Sequence, residues 1–238
     1  MRVFLVCLGL FLAGCSTVPA PVADDGGATV APSVAARPSA KRAAENFMTV
    51  VDRVEPVAER ICRAEAPGLK CDYQIVVDNR ANLPPNAFQT VDRSGRPIIA
   101  FTIALIADAR SQDELGFILG HEAAHHIAGH LQRQRESAVR GAVLAGVLAT
   151  IGGGDASAVR AAQDIGATVG ARAYSKDFEL EADALGTVIA YRAGYDPEAG
   201  AQYFQRIDDP GNMFLGTHPP NTARIQTVRR TLAQLRRN

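Results

Sequence analysis

One stretch of this sequence reads His121-Glu122-Ala123-Ala124-His125-His126-Ile127-Ala128-Gly129-His130, and it holds four of the five histidines in the chain. His121 and His125 are four positions apart, so on a helix they lie about 40° apart around the axis and about 6 Å apart along it. Two imidazoles at that spacing can bind a single zinc ion, and Glu122 can contact a water on that ion. The pattern therefore predicts a zinc centre; the alternative is a pair of ordinary histidines on a core helix.

The residues before this motif indicate that it lies on a helix. Ser111 and Glu114 have the spacing of a capping box, in which a serine caps the first turn and a glutamate three residues later reaches back. Leu115 and Leu119 belong to an apolar stripe with helical spacing that runs into the motif. No proline occurs between Ser111 and Arg140, so the sequence predicts no break in this helix.

A second acidic stretch follows later and reads Phe178-Glu179-Leu180-Glu181-Ala182-Asp183-Ala184-Leu185-Gly186. Glu179 and Asp183 are also four positions apart, so they share one face of a helix. A catalytic zinc site uses three protein ligands and leaves one position open. Two histidines and a carboxylate from this stretch complete such a set, unless the acidic run is a solvated helix face. A third histidine of the metzincin type is excluded, because Ala128 and Leu131 occupy the positions where that pattern has glycine and histidine.

The composition limits the class of protein. With 238 residues, of which 47% are hydrophobic, the chain is long enough for one domain with a buried core, expected over residues 41–238. Its 25 basic residues balance 25 acidic ones, whereas nucleic-acid-binding domains are typically strongly basic. We therefore expect no nucleic acid among its partners.

The first residues are typical of a targeting segment. Arg2 precedes an apolar run that is too short to span a bilayer comfortably. The run ends in Leu12-Ala13-Gly14-Cys15, which resembles a bacterial lipobox and predicts a lipoprotein signal over residues 1–15 with a lipid on Cys15. The alternative is a plain secretory signal with a chance cysteine. Ser16 favours the periplasmic side of the outer membrane, and residues 16–40, rich in Pro, Ala and Gly, are expected to form a flexible tether.

Between the tether and the motif, the sequence predicts a helix and three strands. The helix covers residues 43–64, with Pro56 expected to kink or divide it. Residues 73–78, 87–91 and 97–101 have the composition and alternation of strands. These strands matter for function, because an edge strand beside a metal-binding helix can pair with an extended peptide.

The chain contains four cysteines. Cys7 is expected to leave with the signal and Cys15 to carry the lipid, so Cys62 and Cys71 remain as the free thiols of the mature protein. In an oxidising compartment a disulfide between these two is favoured over two buried thiols.

Residues 141–154 form an apolar stretch of small and branched side chains that ends in three glycines. The stretch is too short to span a membrane. Three interpretations remain open: a helix packed in the core, a mobile lid, and a segment that dips into lipid.

Together, the motifs resemble those of the HtpX/CAAX-prenyl-protease family of membrane-associated gluzincins, and more closely its small periplasmic lipoprotein members. The resemblance covers residues 42–238 and rests on His121-Glu122-x-x-His125, His130, Glu179-x-x-x-Asp183 and Thr217-His218-Pro219. It implies an α+β fold, a mainly helical zincin domain with a small antiparallel sheet beside the metal-binding helix. It also implies one zinc ion per chain, held by His121, His125 and Glu179 rather than Glu181.

The activity implied by the resemblance is hydrolysis of peptide bonds in misfolded or misassembled envelope proteins. Glu122 is then the general base, and Asp183 accepts the second N–H of His121 and fixes the orientation of that ring. The rival hypothesis is a non-proteolytic chaperone or assembly factor that uses the same groove for binding.

Three further side chains have expected positions near the metal. The resemblance places His218 beside the cleft, where it either gates the open metal position or, together with Arg224, donates hydrogen bonds to the oxyanion. The alternative is a loop histidine with no role in the site. His130 either forms a hydrogen bond with a metal ligand or serves only in packing.

Overall fold

The computed structural model describes residues 37–173, 175–209, 211 and 218–237. The predicted signal, the lipidation site Cys15 and most of the predicted tether lie outside the described residues.

The described part of the chain folds into helices around a small sheet. In chain order the helices are α1 (Ala40–Glu65), α2 (Ile103–Asp108), α3 (Gln112–Ile127), α4 (His130–Ile151), α5 (Ala156–Ala173), α6 (Ser175–Arg192), α7 (Pro197–Gly200) and α8 (Asn221–Leu235), with a 3₁₀ turn over Ala201–Gln205. The strands are β1 (Gln74–Asp78), β2 (Ala87–Val91) and β3 (Pro97–Thr102). The predicted fold class, a mainly helical α+β domain with a small sheet, is confirmed.

The sheet is mixed rather than antiparallel as expected. Its strand order is β1-β3-β2, with β1 parallel to β3 and β2 antiparallel to it. The turn after β2 places β3 in the centre, where Ile99 and Phe101 are buried, and β2 forms an edge. The alternation of side chains specifies which face of a strand is buried but not the direction of the strand, which explains the difference.

Helix α1 is longer than predicted and is not divided at Pro56. It buries one face, which includes Phe47, Val50 and Val54, against the core. At its end, Cys62 forms a disulfide with Cys71, with the two Cα atoms 5.7 Å apart. The bridge fastens the last turn of α1 to the segment that leads into β1.

Helix α3 lies at the centre of the molecule and packs closely against α6. Ser111 caps α3 by accepting a hydrogen bond from the Glu114 nitrogen at 3.2 Å. A Cβ atom at Gly186 of α6 would lie only 2.8 Å from the His121 nitrogen, so a side chain there would force the helices apart. This close approach brings the histidines of α3 opposite the carboxylates of α6.

The predicted continuous helix is wrong at one point, because α3 ends at Ile127 and α4 begins at His130. Gly129 between them has a φ of +66°, a left-handed conformation that glycine adopts without steric cost. Its nitrogen donates to the His126 carbonyl at 3.0 Å, which closes the last turn of α3. The chain thereby changes direction just after the motif.

Helices α4 and α5 form a helical hairpin, and it contains the apolar segment 141–154. Core packing, one of the three open interpretations, is excluded because Val143, Leu144, Val147 and Leu148 are exposed. Within the described residues, no helix is long and apolar enough to cross a membrane.

Candidate metal centre

Three side chains from α3 and α6 converge on one point. The Nε2 atoms of His121 and His125 are 3.0 Å apart, and the carboxylate of Glu179 lies 3.6 Å from the first and 3.4 Å from the second. One ligand atom from each of the three lies within 4.8 Å of the other two, and among the described residues this is the one such group. Two imidazoles and a carboxylate are a donor set that suits a divalent metal ion such as zinc.

The carboxylate of Glu179 is held in its ionised form. Burial alone would raise the pKa of Glu179, but hydrogen bonds from His125 and His218 outweigh it and keep the pKa well below its usual range. An ionised carboxylate is the form that binds a metal. Glu181 points elsewhere and contacts Arg133 at 2.8 Å, so the structure brings Glu179 rather than Glu181 into the cluster.

The orientation of His121 is fixed from behind by a buried carboxylate. His121 Nδ1 lies 2.9 Å from Asp183 Oδ1, which is the contact that the sequence predicts for these two residues. Burial by itself would raise the pKa of Asp183, but the guanidinium of Arg224 keeps it low, so Asp183 accepts the N–H from Nδ1. The lone pair on Nε2 is then free to face the cluster.

His125 is oriented by a second histidine rather than by a carboxylate. Its Nδ1 lies 2.8 Å from His130 Nδ1, and His130 Nε2 lies 3.2 Å from Glu181. Burial lowers the pKa of His130 to about 4, so its ring is neutral near pH 7. A neutral His130 that donates to Glu181 through Nε2 accepts at Nδ1 from His125. His125 Nε2 faces Glu179 at 3.4 Å, and its lone pair becomes available to a metal once the proton between these two groups is displaced.

This chain of contacts was only partly visible in the sequence. The spacing of the motif left the role of His130 open, because its position depends on the turn at Gly129. The ring of His130 stacks on Phe178 with centroids 4.6 Å apart, so α6 holds it in place. Gly129 between two helical segments was the available signal, since glycine commonly ends helices in this way.

The remaining predicted residues have separate positions. Glu122 is half-buried on the wall of a cleft of ≈ 590 Å³ that also contains the three converging side chains. His218 lies on the open side of the cluster, with Nδ1 3.1 Å from Glu179 and a side chain that is 54% exposed. His126 faces away from the cluster, and its Nε2 lies 2.7 Å from the Lys70 carbonyl oxygen.

Arg224, which the sequence paired with His218 as an oxyanion donor, binds carboxylates at the cluster, and its Nη2 lies 3.4 Å from Glu179. Its Nε and Nη2 atoms contact Asp183, and its guanidinium lies 3.8 Å from the ring centroid of Phe204. This geometry favours a positioning role for Arg224, through Asp183 and His121.

Two histidines one helical turn apart, an intervening glutamate, a carboxylate from a second helix and a neighbouring edge strand define a metallopeptidase of the zincin class. The sequence profile described as peptidase family M48 matches residues 46–232, and the chain belongs to this family. The predicted resemblance is thereby confirmed.

Curated relatives carry related names. The chain is 29% identical over 147 residues to the beta-barrel assembly-enhancing protease of Yersinia pestis, which covers 56% of this chain and 30% of the relative. It is 30% identical over 176 residues to the mitochondrial metalloendopeptidase OMA1 of Saccharomyces cerevisiae, which covers 69% of this chain and 48% of the relative. The match with the beta-barrel assembly-enhancing protease of Escherichia coli K12 is 27% over 146 residues, or 56% and 30% of the two chains. The chain thus spans less than half the length of these relatives.

Proposed function

We propose that this protein is a zinc-dependent endopeptidase of the bacterial cell envelope that hydrolyses misfolded or misassembled envelope proteins. The observation that carries the proposal is the convergence of His121, His125 and Glu179 on one point of an open cleft, with Glu122 on the wall of the same cleft.

One zinc ion per chain is the cofactor that this donor set favours, with His121, His125 and Glu179 as its ligands. When bound at such a site, zinc polarises the scissile carbonyl and lowers the pKa of water to about 7. The contacts of Asp183 with His121 and of His130 with His125 hold both ligand rings ready for the metal.

Glu122 performs the proton transfers in this proposal. As general base, its carboxylate accepts a proton from the attacking water and later delivers it to the leaving amine. A binding protein has no need of this base in this place, so Glu122 supports hydrolysis over binding alone.

The edge strand β2 supports an extended peptide as the substrate. Ala87, Phe88 and Gln89 line the cleft, and β2 has β3 as its neighbour on one side only within the described sheet. An extended chain can add to such an edge through backbone hydrogen bonds, which a folded protein cannot offer. Binding at the edge of β2 therefore favours unfolded or misassembled segments as substrates.

The cellular setting is proposed from the sequence and from the names of the relatives. Two relatives named beta-barrel assembly-enhancing protease support an envelope role. The lipobox at Cys15 supports a lipid anchor on the periplasmic side of the outer membrane. Partners are then envelope protein substrates and the membrane itself, and the balanced charge gives no support for nucleic acid.

Turnover of unfolded casein separates this proposal from the rival chaperone. We expect the zinc-loaded wild type to cleave casein and Glu122→Gln to lose at least about 100-fold in rate, because general acid–base catalysis contributes 10²–10⁴-fold. Glu122→Gln must retain its metal and its helical circular dichroism spectrum. No cleavage by either protein, with both suppressing aggregation of an unfolded client, would favour the chaperone.

A further inference from the structure

The hairpin of α4 and α5 exposes large apolar side chains on the outer face of α4. At about 100° per residue, their positions cover about half of the helix circumference. Leu144 is 62% exposed, Leu148 60% and Ile151 78%, which is far more than core side chains retain. The full set, called the outer face below, is Val139, Val143, Leu144, Val147, Leu148 and Ile151.

The inner side of the same hairpin contains small residues and brings backbone against backbone. A Cβ atom at Gly141 would lie 2.1 Å from the Gly166 carbonyl oxygen, and one at Gly170 would lie 2.2 Å from the Ser137 carbonyl oxygen. In water a helical pair normally buries its large apolar side chains between the helices. Here the large side chains face outward and the small ones inward, which is the arrangement of helices that pack in lipid.

The charged residues of the hairpin flank its apolar segment. Residues 141–154, which contain most of the outer face, include no charged side chain. Arg135 and Arg140 are exposed just before this segment, where Arg140 pairs with Glu136 at 3.4 Å. Asp155 is exposed directly after it, and Arg160 and Asp164 are exposed on α5. Between residues 131 and 173 there are five arginines and three acidic residues. The excess of two arginines over acidic residues complements an anionic surface. On α5, exposed polar side chains lie beside the exposed apolar residues Ile165 and Val169.

We propose that the outer face of α4 binds the surface of an anionic phospholipid bilayer, with its apolar side chains at the boundary between headgroups and acyl chains. The reversed order of small and large side chains favours lipid over a second copy of this chain, and the nearby arginines favour anionic headgroups. Gly141 follows His130 by eleven residues, about 16 Å of helix, so this contact would bring the metal cleft close to the membrane.

A fluorescent label on single cysteines tests the proposal on the full chain. Cys7→Ser and Cys15→Ser remove the competing thiols and the lipid, and the disulfide is left intact. A nitrobenzoxadiazole label is attached at Leu148→Cys or, as the matched control, at Met48→Cys of α1, where Met48 is 61% exposed. Each protein is mixed with vesicles of phosphatidylcholine and phosphatidylglycerol, with and without nitroxide-labelled acyl chains.

We expect the label at position 148 to shift its emission to the blue, to gain intensity about twofold or more, and to be quenched by the nitroxide, as for a group at the acyl boundary. The label at position 48 should report water throughout. Adding Leu144→Ser to the Leu148→Cys protein should weaken its vesicle binding about tenfold, since most of a leucine side chain is lost from the apolar contact.

Two results would overturn the proposal. In the first, the label at position 148 shows no blue shift and no nitroxide quenching, like the label at position 48, even where the apolar residues 1–15 bind the protein to the vesicles. In the second, the blue shift of the label at position 148 appears without vesicles and increases with protein concentration, which would mean that a second copy covers this face.

Discussion

Asp183 and Arg224 form a buried, two-pronged ion pair behind the metal cluster. Arg224 Nε lies 2.8 Å from Asp183 Oδ2, and Arg224 Nη2 lies 2.7 Å from Oδ1. Asp183 has no exposed surface, and its Oδ1 is also 2.9 Å from His121 Nδ1. The pair therefore links α8 to the histidine whose other nitrogen faces the candidate metal position.

Removing Arg224 should destabilise the protein strongly. Arg224→Ala leaves the Asp183 carboxylate buried without its partner, and breaking such a pair costs about 3–5 kcal/mol in the free energy of unfolding. Arg229→Ala is the control, because Arg229 also lies on α8 but pairs with Glu198 at the exposed surface, where such pairs contribute about 0–1 kcal/mol. Urea denaturation of the two variants measures the difference. Equal losses in the free energy of unfolding would show that the buried Asp183–Arg224 pair contributes no more than the exposed pair.

His130 should affect metal binding, whereas its neighbour His126 should not. His130→Phe keeps an aromatic ring against Phe178 but removes the acceptor for His125, so zinc affinity should fall about 10–100-fold. His126→Phe removes a hydrogen bond to the Lys70 carbonyl and should change stability but not zinc affinity. Competition with a chromogenic chelator gives both affinities. The assignment fails when His130→Phe binds zinc as the wild type does.

His218 should restrain activity. Its Nδ1 lies 3.1 Å from Glu179, where the imidazole can occupy the metal position that water and substrate need. We expect His218→Ala to raise the basal rate of casein hydrolysis. A collapse of the rate would instead assign His218 as a donor to the oxyanion, where the loss of one donor costs about 100-fold or more. An unchanged rate would contradict both roles.

The disulfide should contribute measurably to stability. In the chain-entropy model, a loop between positions nine residues apart is worth about 2–3 kcal/mol in the free energy of unfolding. The double variant Cys62→Ser and Cys71→Ser should lose that amount in denaturant unfolding. Thiol titration of the unreduced, denatured protein should find neither cysteine reactive, and two reactive thiols would refute the bridge.

The sequence predicted the cluster better than its surroundings. The pairing of His121 with His125 and of Glu179 with Asp183 could be found because helical spacing decides which side chains share a face. The choice of Glu179 over Glu181 as the ligand came from the family resemblance. The link between His125 and His130 could not be found, since it depends on the left-handed turn at Gly129 and on packing against α6.

The hairpin and the sheet could also be predicted only in part from the sequence. The composition of residues 141–154 is compatible with a core helix, and only the tertiary arrangement shows that the large side chains face outward. In the sheet, strand positions were close to those observed, whereas the parallel pairing of β1 with β3 depends on how the chain connects distant segments.

The metal content of two glutamine variants tests the central claim most directly. Glu179 and Glu181 lie two positions apart on α6, but only Glu179 faces the histidine pair, whereas Glu181 binds Arg133 and His130. Elemental analysis of zinc-loaded, desalted protein should find one zinc per chain in the wild type and in Glu181→Gln, and none in Glu179→Gln. Equal zinc retention in the two variants would contradict the assignment of His121, His125 and Glu179 as the metal centre.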